Sequence, residues 1–436
     1  MKKEGPGFDL PIAVGMVAAE EEIDLRNAGD CVLVGELALD GAVRPVRGVL
    51  AIASEARRWG KRRLFVPAAN AREAAFLEGI EVYGVHNLRE VFEFLRGGDA
   101  APKLTPVRED AEAFFAAHQE FENDFSEVKG QHHARRAMEV AAAGAHNLLM
   151  IGPPGSGKSM MAKRLPSIMP PLTLEEALET TKIHSVAGLL DARQGLVCVP
   201  PYSSPHSTIS DAGLLGGSSQ LTPGEISVCH HGVLFLDELP EFRRSTLESL
   251  RQPLEDLKVT ISRASGTVTF PAAFMLVAAM NPCKCGYYGD TRRACRCSPL
   301  EVQRYRERIS GPLLDRIDLH VEVAAIKYEH LADQTNTAET SGAIRARVVA
   351  AREIQQRRAG KTNARLTPRQ IKTYCHLDET CAEMLKMATN ELNLSARAYD
   401  RILKVARTVA DLDASEHIQA NHLAEAIQYR SLDRGN

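Results

Sequence analysis

Of the 436 residues 25% are charged and 5% aromatic, and the formal net charge is −3, the balance of a two- or three-domain chain with ample core. Near-neutrality excludes a globally basic nucleic-acid coat, so any contact with DNA or RNA must come from local patches. Nine cysteines, five scattered (31, 198, 229, 375, 381) and four clustered (283, 285, 295, 297), point to a reducing cytosol rather than a disulfide framework.

Met1-Lys-Lys followed by FDLPIAVGMVAA imitates a signal peptide. Glu4 precedes that run and Asp9 and Pro11 interrupt it, so a cytoplasmic chain is expected. No stretch is long enough to cross a membrane. Ile12–Ala19 reads as a helix and Cys31–Leu39 as a strand, with Asp40-Gly41 turning the chain into Val43–Val46. Val49–Trp59 is apolar at helical spacing, with Arg57 and Arg58 near the end that the helix dipole favours for cations. Arg63–Val66 and Glu81–Val85 add strands, so residues 1–96 form an α/β unit.

The stretches KKEGPGFDLPIAVGM, GELALDGAVRPVRGVL and KRRLFVPAAN resemble the proteolytic domain of Lon-type proteases. That family carries its serine nucleophile directly after a Gly-Pro pair and a lysine base on the helix after the hairpin. Here Gly7 follows Gly5-Pro6, and GVLAIASEARR holds no lysine, so a Ser–Lys mechanism cannot run. Relatives carry further strands upstream, and the chain is expected to begin within this domain.

Gly97–Pro102 is a linker by composition, and 110–124 reads as a connecting helix, giving a linker over 97–124. Next comes Phe125–Gln131, followed by the helical HHARRAMEVAAAG. The apolar run Asn147–Ile151 then leads into Gly152, Pro153, Pro154, Gly155, Ser156, Gly157, Lys158 and Ser159, with helical MMAKRL behind. Strand, G-x-x-x-x-G-K-[ST], helix is the phosphate-binding loop in its required context. Its glycines let backbone N–H groups converge on an anion, Lys158 is a point charge for the β- and γ-phosphates of ATP, and Ser159 offers a hydroxyl to Mg²⁺. Downstream, the apolar Val233–Leu236 ends in Asp237-Glu238. This suits Asp237 as a Mg²⁺ ligand and Glu238 as the base that polarises the attacking water. Asn281 closes the apolar run Phe274–Ala279, where a polar side chain at a strand's carboxyl end faces the ligand crevice. Its alternative reading is the cap of a turn before Pro282.

The GQ turn at 130–131 resembles the entry segment of AAA+ ATPases, which lies beside the adenine. Leu313-Leu-Asp-Arg316-Ile-Asp-Leu319 is similar to the arginine-finger segment of their magnesium-chelatase branch, and Ser395-Ala-Arg397 to its sensor 2. A salt bridge from Arg316 to Asp315 or Asp318 is the alternative, and Arg401, on the face of Arg397, is either a second ligand or a surface residue. Tyr202–Glu225 and the alternating Lys258–Phe270 sit where that branch places a helix-2 insert and a presensor-1 β-hairpin. Joined to the Lon-like block, these features resemble the ComM/YifB group of magnesium-chelatase-like AAA+ proteins across the whole chain. The resemblance implies a cytoplasmic hexameric ring without a membrane, acting on single-stranded or branched DNA and driving branch migration during natural transformation. The runner-up is a magnesium-chelatase-like ATPase that remodels a protein partner.

Cys283, Cys285, Cys295 and Cys297 form two C-x-C pairs around a Gly-rich loop, a set suited to one structural Zn²⁺, with free thiols on a turn as the alternative. Residues 341–369 hold eight Arg or Lys against one Glu, either a DNA contact or a solvated helix face. Asp333–Gly342 reads as a polar loop. Pro368–Tyr374, Ala382–Asn390, Ala398–Ala410 and Ala420–Tyr429 read as helices of a lid. The expected fold is therefore α/β. A partial Lon-protease-like α/β domain (1–96) and a linker (97–124) precede an AAA+ P-loop NTPase core (125–328) and a helical lid (329–436).

Overall fold

The computed structural model describes residues 6–22, 25, 28–97, 104–119, 121–190, 195–217, 221–264, 266–290, 292–325, 338–392, 394–430 and 432. Most of the linker Gly97–Pro102, the hairpin residue Ser265 and positions 333–337 of the polar loop lie outside the described residues. The chain divides into two units that do not follow its linear order. Met1–Glu120 belongs with Leu172–Val199, and Phe121–Pro171 with Pro200–Asn436.

In the first unit, strands β1 (Cys31–Leu33), β4 (Arg63–Pro67) and β5 (Glu81–Val85) form a parallel sheet in the order β1-β4-β5, and β2 (Glu36–Leu37) and β3 (Val43–Arg44) pair as a hairpin. The continuous strand expected over Cys31–Leu39 breaks at Val34-Gly35. There Gly35 donates to the Gly7 carbonyl at 3.0 Å, and a Cβ on Gly35 would stand 2.7 Å from Val43 Cγ1. Helix Val49–Arg58 buries Val49, Leu50, Ala53 and Ala56, one face at helical spacing. Helix Leu174–Ala187, started by a Thr173/Glu176 capping box, lies against it. Lys182 Nζ donates to Ser54 Oγ at 3.0 Å, and the Gly48 N–H to Ser185 Oγ at 3.0 Å. The helix expected over 110–124 is confined to Ala111–Ala117; it starts on an Asp110 cap and stops where His118 turns back to stack on Phe114.

The second unit is built on β6 (Leu148–Ile151), β7 (Tyr202–Ser203), β8 (Val233–Leu236), β11 (Met275–Met280) and β12 (Leu319–Glu322), all parallel, in the order β12-β6-β11-β8-β7. The three central strands are buried on both faces, so they read as unbroken apolar runs. Alternate residues feed two cores. Leu148, Met150, Val233, Phe235, Val277 and Ala279 face one of them, while Leu149, Leu234, Leu236, Leu276 and Ala278 face the other. Both edge strands escaped the sequence analysis. Tyr202–Ser203 is two residues long, and Leu319–Glu322 hides behind the segment singled out for its arginine. Between β8 and β11, β9 (Lys258–Arg263) and β10 (Gly266–Pro271) form the expected antiparallel hairpin, with Val259 and Ile261 buried and Lys258, Thr260 and Ser262 exposed.

After β12 come helices Ser341–Ala359, Pro368–Tyr374, Glu379–Glu391, Ala396–Leu412 and Ala420–Gln428, in the same unit as the sheet. Two arginines of the basic 341–369 stretch, Arg352 and Arg358, turn inward, so neither expectation describes them, while Arg347 stays exposed on the helix face. Arg347 pairs with Glu139 and Glu339. Arg352 donates to the Ala142 and Ala143 carbonyls that end helix His132–Gly144, and Arg358 grips Asp411 at 2.7 and 2.6 Å.

Candidate nucleotide-binding site

Parallel pairing in the registers Met280↔Ile151 and Ala278↔Leu236 carries the residues after β6, β8 and β11 to one edge of the sheet. That is the carboxyl edge, where open α/β sheets bind ligands. Gly152–Ser159, Asp237, Glu238 and Asn281 all stand there. The Gly152 N–H donates to the Met280 carbonyl at 3.2 Å, and a Cβ at this position would come within 2.2 Å of the Val323 carbonyl oxygen. Only glycine passes. Gly155 (φ +76°) and Gly157 (φ +90°) take left-handed conformations that curl the loop, and Pro153, Pro154 and Ser156 complete it. Gln131 Nε2 donates to the Ala324 carbonyl at 2.5 Å and to that of Ser156 at 3.3 Å, tying the GQ turn to the loop.

Lys158 is buried, and its Nζ donates to the carbonyls of Gly152 at 2.8 Å and Pro153 at 3.0 Å. Burial lowers its pKa against the opposing pull of Asp237 and Glu238. Ser159 Oγ donates to Asp237 Oδ2 at 2.5 Å, and Asp237 Oδ1 accepts the Glu238 N–H at 2.9 Å. A hydroxyl and a carboxylate so close form a hard-oxygen pair that suits Mg²⁺. Glu238 is exposed at the mouth with φ +51°, a sparsely populated conformation for a residue with a side chain and a frequent one at functional sites. Asn281 is half-buried, its backbone against the Tyr305 hydroxyl, and turn residues follow it at 284–285.

Arg316 lies at the other edge. Asn147, the residue before β6, donates from Nδ2 to the Arg316 carbonyl at 2.9 Å and accepts the Leu276 N–H at 2.9 Å. Five residue steps along β6 then separate Asn147 from Gly152 at the start of the phosphate loop, about 16 Å. Arg316 is 6% exposed; it donates to the Pro312 carbonyl at 2.6 Å and pairs with Glu255 at 2.5 Å. Asp318 pairs instead with Arg401 and His146. Burial alone would raise the Asp318 carboxyl, but Arg401 and His146 reverse that and hold it well below the usual range. Asn147, Glu255, Arg316, Arg401 and Lys404 line a depression of about 310 Å³. Arg397 is exposed on the first turn of helix Ala396–Leu412, one turn before Arg401. Neither Arg316 nor Arg401 reaches the phosphate loop of its own chain. The sequence offered Asn147 only as the head of an apolar run and Asp318 only as a salt-bridge partner for Arg316, not the bonds that they make here. A polar residue at the head of an apolar run and an aspartate between two apolar residues were the available signals.

Directly after Asn281-Pro282 the four clustered cysteines converge. Cys283 and Cys285 Sγ lie 3.3 Å apart, Cys283 and Cys295 3.7 Å, and Cys285 and Cys295 3.6 Å; all four sulfurs fall within 4.8 Å of one another. These separations are far longer than a disulfide bond. Backbone N–H groups of Arg296 and Tyr287 pull the Cys285 thiol down to about 6.

Three family matches cover most of the chain. "Magnesium chelatase, subunit ChlI" matches residues 124–331, its C-terminal family 338–430, and "Subunit ChlI of Mg-chelatase" residues 1–70. The competence protein ComM of Haemophilus influenzae is 43% identical over 438 residues, covering 100% of this chain and 84% of that protein. The uncharacterized protein YifB of Salmonella typhimurium is 43% identical over 434 residues with the same coverage. A shorter match, 30% identical over 154 residues and covering 32% of the chain and 26% of the relative, is to Lon protease 2 of Bacillus subtilis. With family matches over most of the chain and 43% identity across all of it, the chain belongs to the ComM/YifB family of magnesium-chelatase-like AAA+ ATPases.

Proposed function

We propose that this chain is an ATP-hydrolysing motor that works as a hexameric ring, moves along single-stranded or branched DNA and drives branch migration in natural transformation or recombination. The observation that carries the reading is the separation of the phosphate loop from Arg316 at opposite ends of β6. A site that needs both at one nucleotide must borrow one of them from a neighbour. Lys158 exchanges its loop carbonyls for the β- and γ-phosphates. Ser159 and Asp237 would hold Mg²⁺, which when bound offsets phosphate charge. Glu238 takes the proton of the attacking water, Asn281 orients that water, and Arg316 of the neighbouring subunit and Arg397 meet the γ-phosphate.

DNA as the client is supported by the family resemblance and by a full-length relative called a competence protein. Exposed Arg292, Arg293 and Arg296 in the segment after β11 offer phosphate contacts. The Lon-like unit, with Gly7 in the nucleophile's place, acts without protease chemistry. The four cysteines hold a structural Zn²⁺, and the motor works in the cytoplasm.

The deciding experiment is the ATPase rate with and without single-stranded, duplex and forked DNA. Strong stimulation by one form is the expected result. A rate indifferent to all three replaces this reading with a magnesium-chelatase-like ATPase acting on a protein partner, which the ChlI family match over 124–331 and 338–430 favours.

A further inference from the structure

We infer that the four-cysteine loop is a metal-dependent brace for the phosphate-binding loop: one Zn²⁺ on Cys283, Cys285, Cys295 and Cys297 fixes Gly286 against Pro154. Loss of the ion therefore loosens ATP binding. The inference rests on the structural-zinc reading above and extends it to the nucleotide site.

A tetrahedron with Zn–S bonds of about 2.3 Å has edges of about 3.8 Å, and the sulfur separations of 3.3, 3.6 and 3.7 Å approach that value. Four sulfurs within 4.8 Å leave room for a single ion. Four thiolates select a soft or borderline metal over Mg²⁺ and leave no open position for chemistry. Among the described residues, none from Pro282 to Cys297 lies in a helix or strand; turn hydrogen bonds such as Gly286 N–H to the Cys283 carbonyl at 2.9 Å hold the segment locally, and the ion would cross-link its two ends.

That path matters at Gly286. Its φ is +86°, and a Cβ there would stand 2.7 Å from Pro154 Cδ and 2.9 Å from Cγ, carbons of a stiff ring inside the phosphate loop. Behind the loop, Arg306 of helix Pro299–Arg306 donates from Nε to the Pro282 carbonyl at 3.4 Å and covers the Tyr288 ring. The sulfur knot thus stands between the end of β11 and the phosphate loop, held from one side and pressing on the other.

Metal analysis of the full chain, followed by titration with a fluorescent ATP, tests this. Wild type should carry about one zinc per chain. A Cys295→Ser/Cys297→Ser variant should lose the zinc and bind ATP about tenfold more weakly, with its far-UV circular dichroism unchanged. A glycine pair decides the question even if that variant misfolds. Gly289 also has a positive φ, +78°, but a Cβ there meets nothing within 4 Å. Gly286→Ala should weaken ATP binding with zinc retained, and Gly289→Ala should not. Zinc in wild type combined with wild-type ATP affinity in a folded, zinc-free variant, or identical behaviour of the two glycine variants, overturns the brace and leaves the zinc reading standing. Absence of zinc from wild type overturns both. Failure of wild type to bind ATP overturns the nucleotide reading and the brace with it.

Discussion

Subunits carrying Arg316→Ala and subunits carrying Lys158→Ala, each inactive alone, should restore one another when assembled together. Strand β6 holds Asn147 and Gly152, five residue steps from one another, about 16 Å apart. Arg316, fastened beside Asn147 by its own carbonyl and turned toward Pro312 and Glu255, cannot span that length to Lys158 of the same chain. Removing an arginine finger costs about 10³ to 10⁵ in rate, so each parent falls to background. In a random ring a productive interface needs an Arg316→Ala subunit, which keeps Lys158, beside a Lys158→Ala subunit, which keeps Arg316. At equal mixing about one interface in four has that order. The co-assembled mixture should then recover about a quarter of the wild-type rate, falling along a parabola toward either pure parent. The assay is steady-state phosphate release at fixed total protein across mixing ratios. Activity that stays at the parents' level at every ratio refutes the trans assignment, and near wild-type turnover by Arg316→Ala alone refutes the finger itself.

Glu238→Gln should bind ATP within about threefold of wild type while turnover drops by about 10² to 10⁴; undiminished phosphate release would remove Glu238 from the mechanism. Asp411, whose side chain is fully buried, accepts from Arg358, from Arg407 at 3.1 Å and from Asn363 at 2.8 Å. Asp411→Ala strands two cations and should cost about 3–5 kcal/mol, read as a fall of about 10 °C in the unfolding midpoint of the second unit, and an unchanged midpoint contradicts it. Burial, and then Arg430, hold the pKa of His320 well below 6.5 against the pull of Asp318. The folded chain therefore refuses a proton that the unfolded chain accepts. This contribution to stability is complete above about pH 6.5 and drains away below it by up to about 1.4 kcal/mol per pH unit. His320→Leu should flatten the loss of thermal stability between pH 7.5 and 5.5, and equal slopes in variant and wild type would count against the buried neutral imidazole.

What sequence made legible was local. Gly152–Ser159 needs one strand and one turn to be recognised, and Val233–Leu236 followed by two carboxylates needs little more. Their meeting at one edge follows from parallel pairing alone. The position of Arg316 was not legible, because it depends on β12 lying beside β6, a pairing between residues 319 and 148 with no local signature. Charge patterning likewise failed at Arg352 and Arg358. Counting cations on a helix does not say which of them find Glu139, a carbonyl or Asp411 once the helix packs. The cysteines were visible as spacing, but C-x-C alone does not disclose that Gly286 between the pairs lies on Pro154.

The segment Leu172–Val199 returns to the first unit after the phosphate loop has been made, and that order has a consequence for biosynthesis. On the ribosome the first unit cannot close when residue 120 emerges, because helix Leu174–Ala187 is still to come. At ordinary elongation rates the wait is on the order of ten seconds, during which β6 and the phosphate loop emerge while helix Val49–Arg58 lacks its cover. The two units are therefore born interleaved rather than in sequence. A cut or gene truncation within 97–124 does not release a smaller motor; it leaves the buried residues Ala177, Thr181 and Ile183 of a helix facing water.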